Sequence, residues 1–342
     1  MFIDGAREWI GQDAHTFLFV RTLLEQQLLA CNYDYFCGGI ISKRSVYDNH
    51  TKILGTNFSQ ILIDFSFKDD KYIISPEYTF RVYEYLNRSG LLNKENKVFY
   101  SQEMMRNERL TDIKKGKTFS FWQIGYEIFG RDDTQLSIES MRTLIKCLQS
   151  LPLEGFYFRV ADKRIFNSLC EKYFIEDKEN VLSILEDCNE SGNLFYEEYT
   201  QNGGSLAFAQ ELRHLLTLSE NRKLTFDILK ESVNDIVSRE AINNLETICN
   251  VFNGVVGQES LVLTPLMTKT WDAYTTFICD IRVPGYDKAI AGGGNLLIDS
   301  LNPNCVHSGA GIGVTRIAEY LISRGFNFDS EHVILCNDKT KQ

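Results

Sequence analysis

Residues 100–130, YSQEMMRNERLTDIKKGKTFSFWQIGYEIFG, decide the fold. They read as a strand, a basic polar loop and a second strand. Phe119 and Phe121, then Ile124, Tyr126 and Ile128, keep the period-two spacing of a half-buried hairpin. Between the strands, TDIKKGK at 111–117 is polar, with a glycine near its end. The first strand ends in Arg106-Asn107-Glu108-Arg109, and the second carries Gln123 and Glu127. A guanidinium is a planar, permanently charged fork suited to phosphate, and a carboxylate such as Glu127 suits an ammonium group. Charged hairpins of this kind also occur as plain solvated faces.

A second stretch, far along the chain, changes the weight of the first. In Gly309-Ala310-Gly311-Ile312-Gly313-Val314-Thr315-Arg316, glycine stands at every second position before an arginine opens an apolar helical run (Ile317, Tyr320, Leu321). Such a backbone has little side-chain bulk beside a cation, or packs closely under a helix. Arg106-x-Glu108 followed by Phe121-x5-Glu127, together with Gly309-x-Gly311-x-Gly313-x-x-Arg316, resembles motifs 2 and 3 of the class II aminoacyl-tRNA synthetases, and the flanking residues resemble the histidyl branch.

Composition sets the outer bounds. The 342 residues, 44% hydrophobic and 24% charged, belong to an ordinary globular chain of one large or two smaller domains. A net charge of −10 argues against a broad nucleic-acid-binding surface, and so against tRNA. The nine cysteines are scattered without a CxxC pair, so no metal site is expected and reduced thiols in a cytoplasm are the default. No apolar run has the length of a membrane span, and the N-terminus has no signal-peptide pattern.

Residues 9–30 predict an amphipathic helix, with Phe17, Val20, Leu23, Leu24 and Leu28 at helical spacing. A short aromatic strand follows at 33–36; the region resembles motif 1, which implies a homodimer. Residues 61–86 predict two strands about a turn at Lys68-Asp69-Asp70, then a helix after Pro76, which Pro76 and Glu77 both favour. Pro76-Glu77-Tyr78-Thr79 resembles the Arg-Pro-Glu-Gly-Thr segment of histidyl-tRNA synthetases, with Ser75 in place of the arginine and Tyr78 in place of the glycine. That likeness implies that Glu77 meets the amino group of a bound amino acid, with Thr79 beside it.

A helix from Asp133 to about Leu151, a strand at 156–160 and a helix opening at 161–165 lead into residues 166–246. This stretch is helical, polar and free of chemical motifs, and Gly203-Gly204 breaks it between two helices. It resembles the helical insertion of the histidyl family. His214 within it is read as an ordinary helix residue. Strand patterning returns at 260–263 and at 274–283, and a turn at Pro284-Gly285-Tyr286-Asp287 leads to Gly292-Gly293-Gly294.

Residues 269–294 resemble the histidyl specificity segment, with departures. Lys269 stands where an arginine assists activation, Ala273 replaces one of two tyrosines and leaves Tyr274, and Asn295-Leu296-Leu297 stands in place of Arg-Tyr-Asp. Lysine is a flexible point charge and not a bidentate fork. The chain stops near Cys336, about where a C-terminal anticodon-binding domain begins in a histidyl-tRNA synthetase, so the resemblance implies the catalytic core alone.

The resemblance thus implies an α+β fold: a class II synthetase-like antiparallel sheet flanked by helices. Its two core parts are residues 1–165 and 247–342, around the helical insertion at 166–246. It implies catalytic roles for Arg106, Lys269 and Arg316. Arg106, Glu108 and Arg316 would bind ATP, and Glu77, Thr79, Gln123, Glu127 and Tyr274 an amino acid. Two functions follow. The first is a non-aminoacylating regulatory subunit that partners the catalytic subunit of ATP phosphoribosyltransferase in histidine biosynthesis and senses an amino acid. The second is a freestanding adenylate-forming ligase for an amino acid other than histidine, using ATP and Mg. The regulatory subunit is the leading reading and the ligase the alternative, which the retained Arg106, Glu108 and Arg316 favour.

Overall fold

A computed structural model describes residues 5–48, 58–92, 95–110, 113, 117–130, 133–233, 235–257, 260–267, 274–297 and 306–328. The chain opens with helix α1 (Gln12–Ala30), strands β1 (Asp34–Tyr35) and β2 (Ile41–Lys43), and a short helix α2 (Ser45–Asp48). The hairpin β3 (Ile63–Phe67) and β4 (Asp70–Ile74) leads to α3 (Thr79–Arg88). Long strands β5 (Asn96–Met105) and β6 (Ser120–Gly130) precede α4 (Asp133–Gln149), β7 (Tyr157–Asp162) and α5 (Lys163–Lys172). Helices α6 (Lys178–Asp187), α7 (Gly192–Gln201), α8 (Leu206–Glu220), α9 (Phe226–Ser232) and α10 (Ile236–Val256) follow in succession. The chain then returns to the sheet with β8 (Leu261–Leu263), β9 (Tyr274–Arg282), β10 (Ala291–Leu296) and β11 (Val306–Gly313), and α11 (Val314–Ser323) follows.

Local chemistry accounts for these elements. Val20, Leu24 and Leu28 bury one stripe of α1. Asp162, Thr225 and Asp235 each accept a backbone N–H at the start of α5, α9 and α10. Gly203, at φ 81°, ends the α7 run before Ser205 caps α8. The helical middle runs on to Val256, ten residues past the expected 246, because Ile242, Leu245, Ile248, Cys249 and Phe252 stay buried along one face of α10.

Eight strands form one sheet in the order β1-β5-β6-β11-β10-β9-β7-β8, and β2-β4-β3 form a smaller one. The large sheet is antiparallel from β5 to β7, and the edge strands β1 and β8 join it in parallel. The expected α+β architecture is present, with these two parallel edges as its refinement. One face of the sheet shares a core with α1, α4 and α11 through Val20, Leu24, Tyr126, Leu144, Ile312 and Ile317. On the other face Tyr78, Phe80, Tyr83, Tyr100 and Phe129 form a separate core beneath α3 and the small sheet.

The expected half-buried hairpin needs correction. Strands β5 and β6 do pair, Tyr100 opposite Gly125 and Val98 opposite Glu127. β6 is however interior to the sheet, flanked by β11, and residues 124–129 are buried on both faces. The alternation there separates an apolar core from a polar cavity, with neither face open to solvent.

Candidate functional site

Register builds the site. Glu127, Gly125 and Gln123 of β6 lie opposite Gly309, Gly311 and Gly313 of β11, all on one face. A Cβ at Gly309 would overlap the Glu127 carboxylate, and one at Gly311 the Gln123 amide; one at Gly125 would overlap Tyr100. The glycine strand is therefore the space that its neighbour's polar side chains fill. Helix α4 also packs on β11, in keeping with a glycine strand that lies close under a helix.

Apart from Gly125, which Tyr100 covers, these residues floor a cavity of about 240 Å³. Its lining brings together Glu77, Thr79, Arg106, Glu108, Gln123, Glu127, Tyr274 and Arg316, drawn from across the chain. Lys269, and Ala273 with it, lies outside the described residues, as does most of the 111–117 loop.

The floor is acidic. Thr79 Oγ1 donates to Glu127 Oε1 at 2.7 Å, and His307 Nε2 lies 2.5 Å from Glu127 Oε2. Glu77 is held by its backbone, whose carbonyl accepts from Tyr47 Oη at 2.9 Å. Its Oε2 accepts the Phe80 N–H at 3.2 Å, while its buried Oε1 makes no hydrogen bond. Glu77 thus starts the helix, as its position favours, and also turns an unsatisfied carboxylate oxygen inward. Burial pushes its carboxyl up to about 7, and the neighbouring charge of Glu127 adds to this against the Phe80 amide.

The mouth is cationic. Arg106 is half-buried, with its Nε donating to Pro76 O at 3.0 Å and its guanidinium 5.0 Å from the Phe121 ring centroid. Burial pulls it below its ordinary value; Glu108 opposes this and the like charge of Arg316 adds to it. Arg316 is exposed and donates to Ala289 O at 2.8 Å. The start of its helix is pinned to β6 by Trp122 N–H, which donates to Thr315 Oγ1 at 2.8 Å. Lys117 lies 3.6 Å from Glu108. Burial and then the like charge of Arg316 pull the Lys288 ammonium down, against the carboxylate of Glu319. Cations held this close favour a polyanion between them.

The donor set fits the phosphates of ATP. It does not make a metal cage: among the described residues no three His, Cys, Asp or Glu side chains converge. Magnesium commonly binds through one or two carboxylates plus substrate phosphates, and Glu108 at the mouth fits that role.

The Asn295-Leu296-Leu297 segment splits between the two faces of the sheet. Asn295 does not reach the cavity: its Nδ2 donates to Asp133 Oδ1 at 2.7 Å and Ser137 Oγ at 2.8 Å, on the opposite face of β10. Leu296, one residue on, lines the cavity in its place. Strand period forces this, because adjacent residues point to opposite faces. The sequence reading also missed His307, which belongs to the same alternate set as Gly309, Gly311 and Gly313. Extending the period by two residues finds it. Tyr100 and Lys288 carried no comparable signal, since their roles depend on cross-strand register and on a turn.

Comparison with known proteins agrees with the geometry. The histidyl-tRNA synthetase family matches residues 62–313. The histidine–tRNA ligase of Nanoarchaeum equitans (strain Kin4-M) is 21% identical over 232 residues, 66% of this chain and 52% of that protein. The chain spans about half the length of the first curated relatives it matches. A Bacillus halodurans protein described as an ATP phosphoribosyltransferase regulatory subunit/histidyl-tRNA synthetase superposes with a TM-score of 0.77 at 15% identity, covering 93% of this chain and 82% of that one. The histidyl-tRNA synthetase of Nostoc sp. PCC 7120 superposes with a TM-score of 0.74 at 13% identity, covering 96% and 76%. The chain belongs to the histidyl-tRNA synthetase family and carries its class II catalytic-core fold.

Proposed function

We propose that this member of the family is an adenylate-forming ligase that activates an amino acid with ATP. One observation carries the reading: buried carboxylates at 77 and 127 lie in the same cavity as the guanidinium groups of Arg106 and Arg316. An α-amino acid and a nucleotide phosphate need that polarity in one place. Glu77, with Gln123 beside it, takes the ammonium group. Tyr274 and Leu296 wall the side-chain end.

In the reaction, a carboxylate oxygen of the amino acid attacks the α-phosphorus of ATP. A new P–O bond forms, the bond to the bridging oxygen breaks, and pyrophosphate leaves with the electron pair. Arg106 neutralises charge growing on the α-phosphate, and Arg316 with Lys288 holds the departing phosphates. Glu108 would hold a magnesium ion, which would supply further charge neutralisation at the phosphates. Lys269 is proposed to assist activation.

The test is amino-acid-dependent ATP–pyrophosphate exchange across the standard amino acids. Exchange with one of them is expected, falling about 10³-fold or more in Arg106→Ala. Silence across the whole panel, or full exchange by the mutant, would sink the mechanism.

A second reading stays in view, that of a regulatory subunit partnering the catalytic ATP phosphoribosyltransferase subunit in the cytoplasm. It is supported by the departures Ser75 and Leu296 from the histidyl pattern, and by the Bacillus halodurans neighbour, whose description joins both roles on this one fold. Co-purification with such a catalytic subunit, together with a silent exchange assay, would favour it. Both readings expect a homodimer, checked by light scattering, and neither needs tRNA or a membrane; no described helix is long and apolar enough to cross one.

A further inference from the structure

We infer that His307 sets which amino acid this cavity accepts. Its imidazole already occupies the position beside the Glu127 carboxylate, so the ligand is an α-amino acid with a small uncharged side chain and histidine is excluded. The inference rests on the amino-acid-binding reading above.

The argument begins with the hydrogen bonds of Glu127. Its Oε1 accepts from Thr79 Oγ1 at 2.7 Å and its Oε2 is met by His307 Nε2 at 2.5 Å, so both oxygens are engaged within the protein. His307 and Glu127 are 1% and 2% exposed. In that environment a carboxylate–imidazole bond is strong, and separating the pair would strand two buried polar groups. A ligand imidazole competing for Glu127 would have to do that.

His307 also has no route out. It lies in an interior strand, opposite Phe129 on β6 and Leu296 on β10. Its ring centroid is 4.7 Å from that of Phe129. Its Nδ1 makes no hydrogen bond, so the side chain's polar contact is directed wholly at Glu127. It pairs in register with Leu296, which lines the cavity together with Tyr274 and with the Glu127 that His307 holds.

On the buried floor, one acidic position is left for a ligand. Glu77 Oε1 is buried and makes no hydrogen bond. A single ammonium group satisfies it. A second cation on the side chain, as in lysine, arginine or protonated histidine, would meet Glu127 already paired and Leu296 beside it. A membership named for histidine therefore comes here with the imidazole built into the protein.

The experiment is calorimetric titration of wild-type protein and His307→Ala with imidazole, histidine, glycine, alanine and serine. Wild-type protein should bind a small uncharged amino acid and show histidine at least about tenfold weaker. His307→Ala should take up imidazole into the vacated space and gain about tenfold or more in histidine affinity. Histidine binding to wild type as tightly as the small amino acids overturns the inference whatever the mutant does, and leaves the amino-acid reading standing. Uptake of neither imidazole nor histidine by folded His307→Ala overturns it too. If that variant does not fold, His307→Gln, whose amide can still donate to Glu127, should keep histidine excluded; histidine binding there overturns the inference. Absence of any amino-acid binding to wild type removes the reading beneath it, while imidazole uptake by His307→Ala would still support the plug itself.

Discussion

The two faces of β6 carry opposite chemistry, and from residue 124 to 129 both are buried. Ile124, Tyr126 and Ile128 share a core with α1 and α4, while Gln123 and Glu127, one residue out of phase, floor the cavity, and Tyr100 covers Gly125 between them. Alternation is usually read as inside against outside. In an interior strand it separates packing from binding. The polar face is kept polar at a cost, visible in the carboxyl of Glu77, which burial lifts to about 7.

The sharpest way to break this comparison is to damage each face alone. Ile124 is fully buried, and Ile124→Ala should lower stability by about 2–5 kcal/mol in denaturant titration. The affinity of the folded fraction for its amino acid should change less than about twofold, because the removed atoms face α1 and α4. Gly311→Ala should do the reverse. The nearest atoms to its Cβ are the flexible end of Gln123, so stability should move by about 1 kcal/mol or less. Displacing the amide should weaken ligand binding about tenfold or more. A Gly311→Ala protein that loses stability and keeps its affinity would erase the distinction between the faces.

Next in size is a pH effect belonging to the cavity face. Glu77 must be ionised to hold an ammonium group. Its carboxyl titrates at about 7 in the empty site, against an ordinary 4.5. Affinity should therefore rise about tenfold per pH unit up to about 7 and then level off. Glu77→Gln should bind weakly and without that slope. For the ligand-free protein the sign is opposite. Between pH 4.5 and 7 the folded state keeps a proton that the unfolded chain has released, so stability falls as pH rises through that window. A flat affinity profile from pH 5 to 8 would mean that Glu77 does not meet the ammonium group.

Much of this was legible in the sequence, for a physical reason. The β6 alternation, the glycines of β11 and the order Arg106, Glu108, Arg316 are local patterns, and local patterns survive without coordinates. The side of the sheet on which a residue ends up is also local, and it follows from strand period. It placed Leu296 rather than Asn295 at the cavity, and it would have found His307 had the strand been extended two residues back. The unread part is contact across register. Nothing near Gly125 in sequence announces that Tyr100 fills the space above it. Nothing near Lys288 announces that the charge of Arg316 acts on it. The parallel pairing of β1 and β8 at the sheet edges is likewise a property of the assembled sheet.

The smallest expected effect sharpens the comparison from the packing side. Tyr126 carries the one hydroxyl among the three side chains that β6 turns toward the helices at 124, 126 and 128, and it donates to Ser140 O at 2.7 Å inside the core. Tyr126→Phe keeps the ring and its burial and removes that bond. A buried neutral hydrogen bond contributes about 1 kcal/mol net, and the melting temperature should fall by about 2–4 °C or less in a chain of this size. The hydroxyl faces α4, away from Glu127, so amino-acid affinity and its pH slope should stay unchanged. A shift in either would mean that the two faces of β6 are coupled through the strand, and that the packing side helps to position the carboxylate on the other.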